Sequence, residues 1–253
     1  MGIRVYLAGR MAIDAGGDMV DEARFPGLQS RVVFAMLAAE RERPVSRDEL
    51  AEELWGEGLP RAWETAIRAV VSKLRGVLGE AGLDGGRVLT GAVGLYQLRL
   101  PSGAWVDIEA AAQAVHRAEP LLRDGHIDEA CGWALVGRAI AGRPFLPGAE
   151  GAWATGRRDR LRDLQLRALE VLGEGWLRRG DSALAVADAQ EVLRLEPFRE
   201  SGHRALIRAH AAAGNRAEAV QAYQRCRSVL ALELGVDPSP QTEAVYLEVL
   251  RSA

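Results

Sequence analysis

The most regular alternation of apolar and polar positions lies in residues 61–79, RAWETAIRAVVSKLRGVLG. At 100° per residue the apolar side chains fall within one arc of about 140°, the pattern of an amphipathic helix. They are Trp63, Ala66, Ile67, Val70, Val71, Leu74, Val77 and Leu78. The opposite side carries a stripe without an acid: Arg61, Thr65, Arg68, Ser72 and Arg75. Because guanidinium groups suit phosphates and guanine edges, this stripe predicts either a helix that lies on DNA or a charged face that meets water.

The preceding residues predict a shorter helix. Ser46-Arg47-Asp48-Glu49 is a capping box, in which the hydroxyl and the carboxylate satisfy backbone donors at a helix start. The helix runs from Ser46 to Trp55, and Gly56, Gly58 and Pro60 then break the chain. A capped helix, a tight loop and a basic helix together predict a helix-turn-helix.

Short strands are predicted on both sides of these helices. Residues 87–90 and 95–100 form a hairpin joined by Gly91-Ala92-Val93-Gly94, in the position called a wing. Near the start of the chain Ile3, Val5 and Leu7 alternate with polar residues, and Gly16-Gly17-Asp18 predicts a turn.

Beyond Pro101-Ser102-Gly103 the sequence is alanine-rich and helical in pattern. Gly180-Asp181 with Ala185 recurs as Gly214-Asn215 with Ala219, a spacing of 34 residues that is the tetratricopeptide (TPR) period. A weaker copy, Gly125-His126 with Ala130, lies 55 residues before Gly180, which indicates an insertion around Pro144 and Pro147. In each copy the glycine permits a tight turn and the alanine permits close helix packing.

The predicted fold class is therefore mainly α with a small β component. Residues 1–100 are expected to form a winged helix-turn-helix, and residues 103–253 a TPR-like helical repeat domain. A chain of 253 residues, 48% of them hydrophobic, is long enough for two domains with separate cores.

The balance of basic and acidic side chains limits the DNA affinity that can be expected. The chain carries 32 basic and 35 acidic side chains, and residues 1–100 hold 13 basic and 14 acidic ones. We therefore expect non-specific DNA affinity to be modest and dependent on salt, with specificity resting on a few side chains.

The sequence offers little catalytic chemistry. His203 and His210 are seven residues apart, which is not the i, i+4 spacing of a metal-binding pair. No phosphate-binding loop or nucleophile motif occurs, and Glu52-Glu53 is interpreted as a solvated pair of acids on a helix face. We expect no enzyme activity, cofactor or metal site.

The remaining features favour a reducing, aqueous compartment. Cys131 and Cys226 are isolated in predicted helices and are expected to be reduced. There is no signal peptide and no membrane-spanning apolar run, so a cytoplasmic protein with no membrane partner is expected.

Several of these motifs together resemble the SARP family of transcriptional activators (Streptomyces antibiotic regulatory proteins). The resemblance rests on VSRDELAEELWGE (residues 45–57), AWETAIRAVVSKLRGVL (62–78), a Gly-Leu-Tyr wing and LALELGVDPSPQT (230–242), and it extends over nearly the whole chain. It implies an OmpR-type winged helix followed by a bacterial transcriptional activator domain. One departure is the wing, residues 90–96, which lacks the basic residue of the arginine-proline-glycine-tyrosine run usual in the family.

The resemblance also implies a function. We expect an activator of a biosynthetic gene cluster that binds direct repeats in promoter double-stranded DNA, as a homodimer at least on DNA, and recruits RNA polymerase. By the same resemblance the loop with Glu57 and Leu59 is expected to contact RNA polymerase; the alternative is that it is only a turn between the two helices. The expected DNA-binding residues are Arg61, Thr65, Arg68, Ser72, Lys73 and Arg75 on the basic helix, with Arg31, Ser46 and Arg47, together with Gln29 and Ser30, meeting phosphates from the starts of the earlier helices.

An alternative is a protein-binding adaptor whose winged helix is degenerate and whose helical repeats carry the function. The acidic balance and the non-basic wing favour the adaptor, whereas the acid-free stripe and the extent of the resemblance favour the activator. We expect the activator.

Overall fold

A computed structural model describes residues 2–16 and 19–251. The described residues up to Ala112 together with Ala139–Arg162 form one compact unit. Gln113–Arg138 and the residues from Asp163 onward form a second. The predicted turn at Gly17-Asp18 lies outside the described residues.

The strands are short. They are β1 Arg4–Tyr6, β2 Ala12–Asp14, β3 Met19–Val20, β4 Val45–Ser46, β5 Leu89–Ala92, β6 Leu95–Leu98 and β7 Trp105–Val106. The helices make up most of the chain. They are α1 Gly27–Ala39, α2 Arg47–Trp55, α3 Trp63–Glu80, α4 Gly85–Val88, α5 Asp107–Arg123, α6 Ile127–Ala141, α7 Ala152–Arg179, α8 Ser182–Leu195, α9 Glu200–Ala212, α10 Arg216–Leu234 and α11 Pro240–Arg251. Glu22–Arg24 and Gly56–Gly58 are 3₁₀ turns.

The first unit begins with a four-stranded sheet in the order β3-β2-β1-β7, in which β1 and β7 are parallel and the other pairs antiparallel. Val5 pairs with Ile13 on one side and with Val106 on the other, and all three are buried. The buried carboxylate of Asp107 accepts hydrogen bonds from the amides of Leu7 and Ala8 next to β1. Burial raises the pKa of Asp107, although these amide bonds oppose the shift. The bonds fix the start of α5 against the sheet.

Helices α1, α2 and α3 form the core of the winged helix. The apolar side of α3 is buried as predicted, from Ile67 to Leu78, because that stripe packs against α1, whose residues 32–38 are buried. A second sheet in the order β4-β6-β5 carries the wing. The predicted strand at 87–90 was wrong at its start, because the Asp84 carboxylate caps a short helix, α4, and β5 begins only at Leu89.

Residues 139–162 belong to the same unit as the winged helix. The Gly9 amide donates to the Pro144 carbonyl at 2.7 Å, and Ala8 forms an isolated bridge with Phe145. The Arg158 guanidinium donates to three carbonyl oxygens in this loop. They belong to Phe145, Leu146 and Ala149. The loop before α7 is therefore held at both ends.

The second unit is a stack of antiparallel helices, which confirms the predicted TPR-like repeats. The turn glycines Gly125, Gly180 and Gly214 have φ of 86°, 82° and 76°, a region that other residues rarely adopt. The alanines five residues later, Ala130, Ala185 and Ala219, are all buried where neighbouring helices approach.

Ion pairs join alternate helices of this stack, α5 with α7 and α7 with the start of α9. Arg167 on α7 makes a two-pronged contact with Glu119 on α5, and Arg199 before α9 makes one with Glu170 on α7. These contacts fix neighbouring repeats in register. Leu184 on α8 is 49% exposed and lies outside the packed face of that helix.

The last two helices of the second unit end and begin at residues whose types suit those positions. Helix α10 ends at Leu234 and is capped by Gly235, which adopts the left-handed conformation, and α11 starts at Pro240. Tyr223 and Tyr246 stack with ring centroids 3.9 Å apart. Among the described residues no helix is both long and apolar enough to cross a membrane.

Candidate nucleic-acid interface

The outer face of α3 presents an exposed row of polar and small side chains. Thr65, Arg68 and Ser72 are exposed as the periodicity predicted, and Ala69 and Gly76 lie between and beyond them on the same face. Lys73 is exposed at one border of the row. Small side chains along its centre allow a helix backbone to come close to a ligand such as a DNA groove.

Arg61 does not belong to the helix. Helix α3 begins at Trp63, whose amide donates to the Pro60 carbonyl at 3.1 Å, so Arg61 lies in the turn before the first residue of α3. Its side chain is exposed there. The prediction that Arg61 is part of the helical stripe was wrong, because the proline turn delays the start of the helix by two residues.

Arg75 also departs from the predicted stripe. It is half-buried, and its Nε donates to the backbone carbonyl of Leu89 at the start of β5 with a distance of 3.1 Å. Its guanidinium therefore holds the wing against α3 and is not an open member of the outer face.

One acid neutralises two of the cations at this surface. The Glu64 carboxylate accepts a hydrogen bond from Arg68 at 3.1 Å and lies 3.2 Å from Nη2 of Arg47. Arg47 also lies over the Trp63 ring, 5.6 Å from its centroid, and its amide donates to the Gly94 carbonyl in the wing. Both arginines are thus held close to α3.

Residues near the starts of α1 and α2 were predicted to contact phosphates, but they have partners or burial within the protein. Ser46 and Glu49 form the predicted capping box, with distances of 3.1 Å and 2.8 Å between each side chain and the other residue's amide. Arg31 is half-buried and forms an ion pair with Glu22. Ser30 is only 1% exposed, so it cannot meet a phosphate as expected, because it faces the core side of α1.

The wing tip is apolar. Val93 and Gly94 form the two central positions of the turn between β5 and β6, with φ of 50° and 76°. Val93 is 102% exposed and Leu95 is also exposed. No basic side chain occurs between residues 90 and 96, all of which the structure describes.

The loop between α2 and α3 is open to solvent. Gly56–Gly58 form a 3₁₀ turn, and both Glu57 and Leu59 are exposed. Gly56 has φ of 51° and ψ of −127°, a conformation that side chains disfavour.

A contact that the sequence did not predict lies on α2, just before this loop. Glu53, interpreted from the sequence as solvated, is buried and accepts hydrogen bonds from the amides of Trp153 and Ala154 at the start of α7. Glu40 accepts a bond from the Trp153 indole and pairs with Arg157. No local pattern reveals these contacts, because the partners are about a hundred residues apart.

The fold combines a winged helix-turn-helix with TPR-like helical repeats. A family model described as bacterial transcriptional activator domain matches residues 106–250. The chain belongs to the family that carries this domain, the SARP-type transcriptional activators.

Individual relatives agree with this assignment. The chain is 30% identical over 241 residues to the transcriptional regulatory protein EmbR of Mycobacterium tuberculosis, a match that covers 88% of this chain and 58% of that protein. It is 33% identical over 227 residues to the regulatory protein AfsR of Streptomyces coelicolor, a match that covers 88% of this chain and 22% of AfsR. The chain thus spans little more than half of EmbR and under a quarter of AfsR.

The three-dimensional likeness is extensive. A solved structure of Mycobacterium tuberculosis EmbR in complex with a low affinity phosphopeptide superposes with a TM-score of 0.89 and 26% identity. The match covers 99% of this chain and 65% of that chain. Like EmbR and AfsR, the chain is a member of a group of transcriptional regulators.

Proposed function

We propose that this protein activates transcription by placing α3 in the major groove of promoter double-stranded DNA. The observation that carries the proposal is the exposed row of Thr65, Arg68 and Ser72, which no other described part of the first unit covers. Arg47 and Lys73 lie beside this row, and in this proposal they meet phosphates. Arg61, Ser46 and Arg31 contribute further polar groups at the edges, Arg31 least because Glu22 already pairs with it.

Binding as a homodimer to direct repeats follows from the limited size of one such surface. The winged-helix residues 1–100 are nearly neutral in charge, so one copy binds DNA weakly. Two copies joined through the helical repeats make the second contact intramolecular, which raises affinity by about a hundredfold or more. In this proposal the exposed loop with Glu57 and Leu59 contacts RNA polymerase. The regulated promoters belong to a biosynthetic gene cluster, and the protein acts in the cytoplasm.

A gel-shift titration with the promoters next to the gene that encodes this protein tests DNA binding. Arg68→Ala should reduce affinity by roughly 1–3 kcal/mol if Arg68 reads a base. Arg208→Ala, an exposed arginine on α9, is the matched control and should leave affinity unchanged. Equal binding by wild type and Arg68→Ala would remove α3 from the interface.

The adaptor alternative has one observation in its favour, the apolar and non-basic wing tip at Val93 and Leu95. An adaptor would show no preference for promoter DNA over unrelated DNA at moderate salt, whereas the activator would. Inserting about half a helical turn between the two repeats should weaken binding by the full chain if the copies act together.

A further inference from the structure

The second unit has a surface on which side-chain contacts join the first helices of successive repeats, α5, α7 and α9, and then the last helix, α11. We name the surface that carries these contacts the first-helix face. The residues that define it are Glu119, Arg167, Glu170, Arg199, Arg204 and Thr242. Because the repeats are regular, equivalent positions along this face can be compared from one helix to the next.

The 34-residue repeat aligns two arginines of α9 with two glutamates of α7. Arg204 occupies the position equivalent to Glu170, and Arg208 the position equivalent to Glu174. Both glutamates form ion pairs with arginines of their own unit. The sign of the charge at these two positions is therefore reversed on α9, and the partners that balance it on α7 have no counterpart there.

Neither α9 arginine has a carboxylate partner among the residues that the structure describes. Arg208 is exposed and makes no hydrogen bond or ion pair with them. Arg204 is half-buried and donates one hydrogen bond, at 3.1 Å, to the neutral hydroxyl of Thr242. Glu200 lies one turn before Arg204, but its carboxylate accepts hydrogen bonds from Ser239 and Thr242 instead. Most N–H donors of the two guanidinium groups are therefore open to an anion.

The same comparison shows that α9 leaves space beside these arginines. The positions of Leu177 and Arg178 on α7 are taken on α9 by Ala211 and Ala212. On α7 the Arg178 guanidinium reaches across to the Leu122 carbonyl of α5 at 2.7 Å, and an alanine makes no such contact. Ala212 is exposed. A ligand that lies along α9 can therefore come close to the helix at this point.

The spacing along α9 matches that of an extended peptide. Arg204, Arg208 and Ala212 follow one another at steps of four residues, about 6 Å along the helix axis. Alternate residues of an extended chain lie on one side at steps of about 6.6 Å. An extended segment along α9 can thus set two acidic side chains against the arginines and an apolar side chain on Ala212. Carboxylates suit this place, because a guanidinium binds them with two parallel hydrogen bonds.

We infer that Arg204 and Arg208 dock an acidic, extended segment of a partner protein with the pattern acid-x-acid-x-apolar. A peptide fits better than DNA, which requires several cations along one path of phosphates. The first-helix face does not offer them, because Arg167 and Arg199 are already paired with glutamates and Glu200 adds a negative charge beside Arg204. This partner surface goes beyond the proposed DNA binding and does not depend on it.

The test measures binding of labelled synthetic peptides to the full chain by fluorescence anisotropy at moderate salt. One peptide contains Asp-Ser-Asp-Ser-Leu, and its control contains Asn-Ser-Asn-Ser-Leu. The test variant is Arg204→Gln with Arg208→Gln. The matched control is Arg225→Gln with Arg227→Gln, exposed arginines of α10 that give the same change in net charge. Because Arg204 also contacts Thr242, Arg208→Glu alone is a second variant at a position without such a contact.

If the inference holds, the wild type and the α10 control bind the aspartate peptide about tenfold or more tightly than the asparagine peptide, and Arg204→Gln with Arg208→Gln loses this preference. Arg208→Glu loses it as well and instead prefers a peptide that contains Asp-Ser-Lys-Ser-Leu. Equal binding of both peptides by the wild type, or an undiminished preference in the glutamine variant, would overturn the inference and leave the proposed function standing.

Gel shifts with promoter DNA separate a peptide surface from a DNA surface. The glutamine variant should keep the promoter affinity of the wild type, because α9 carries no part of the proposed DNA contact. A loss of promoter affinity in this variant but not in the α10 control would assign Arg204 and Arg208 to DNA and overturn the inference.

Discussion

The Glu53 carboxylate on α2 accepts a 2.7 Å hydrogen bond from the backbone amide of Trp153, one hundred residues further along the chain. A second bond, at 3.0 Å, comes from the amide of Ala154. The first amides of a helix have no partner within it, and its N-terminus carries a partial positive charge. Glu53 therefore acts as the cap of α7 and ties the beginning of that helix to the winged helix.

Replacing Glu53 should destabilise the first unit. Glu53→Gln keeps the shape of the side chain but removes its charge and one acceptor oxygen, so we expect a loss of about 1.5–3 kcal/mol in the free energy of unfolding. Urea unfolding, followed by the fluorescence of tryptophans such as Trp153, measures it. The neighbouring exposed residue supplies the control, and Glu52→Gln should stay within about 0.5 kcal/mol of wild type. Equal stabilities of the two variants would show that the cap contributes nothing.

Glu64 should limit the affinity for DNA. Its carboxylate pairs with both Arg47 and Arg68, so Glu64→Gln releases two cations at the proposed interface. We expect tighter binding to promoter DNA and a steeper dependence on salt, with a change in slope of about 0.9 for each further phosphate that is neutralised. Gel shifts at several salt concentrations give both quantities.

The control for this change is Glu80→Gln, which breaks a comparable exposed ion pair with Arg24 at the other end of α3. Glu80→Gln should leave the slope of DNA affinity against salt concentration near that of wild type. A steeper slope in both variants would mean that the effect follows net charge and not the position of Glu64.

The sequence predicted features that depend on periodicity or on backbone conformation. The buried side of α3 followed from helical spacing, and the turns at Gly180 and Gly214 from the need for positive φ. It did not predict contacts between distant residues. Arg75 and Glu53 both lie on helix faces that look solvated, and only the wing and the loop before α7 convert them into structural residues.

His203 should make the second unit sensitive to acid. Burial lowers the pKa of His203, and the bond from its Nε2 to the Pro197 carbonyl and the nearby Glu200 only partly oppose the shift, while Arg225 adds to it. Its Nδ1 is buried without a hydrogen-bond partner in the described part of the chain. The native state therefore keeps the ring neutral, whereas the unfolded chain takes up a proton near pH 6.5, at about its usual pKa.

The contribution of neutral His203 to the free energy of unfolding should thus be fully present above about pH 6.5 and should decline as the pH falls below that value. His203→Gln retains a donor for Pro197 but cannot be protonated, so its stability should decline less between about pH 7 and 5. Thermal melts across that range measure the difference. His126→Gln, at an exposed turn, should follow the wild-type curve. Parallel curves for wild type and His203→Gln would contradict the prediction.

The wing turn should be stabilised by replacing Val93. Both central residues of this two-residue turn have positive φ, the geometry for which Asn-Gly is preferred. A branched side chain in that conformation costs about 1–2 kcal/mol, and the fully exposed Val93 side chain has no burial within the protein to offset it. Val93→Asn should therefore raise the free energy of unfolding by about 1 kcal/mol, measured by urea unfolding. Val93→Thr keeps the branch at Cβ and should stay close to wild type. A Val93→Asn variant that is no more stable would mean that the turn relaxes away from positive φ in solution, and the geometry of the wing tip would then be set by whatever binds it.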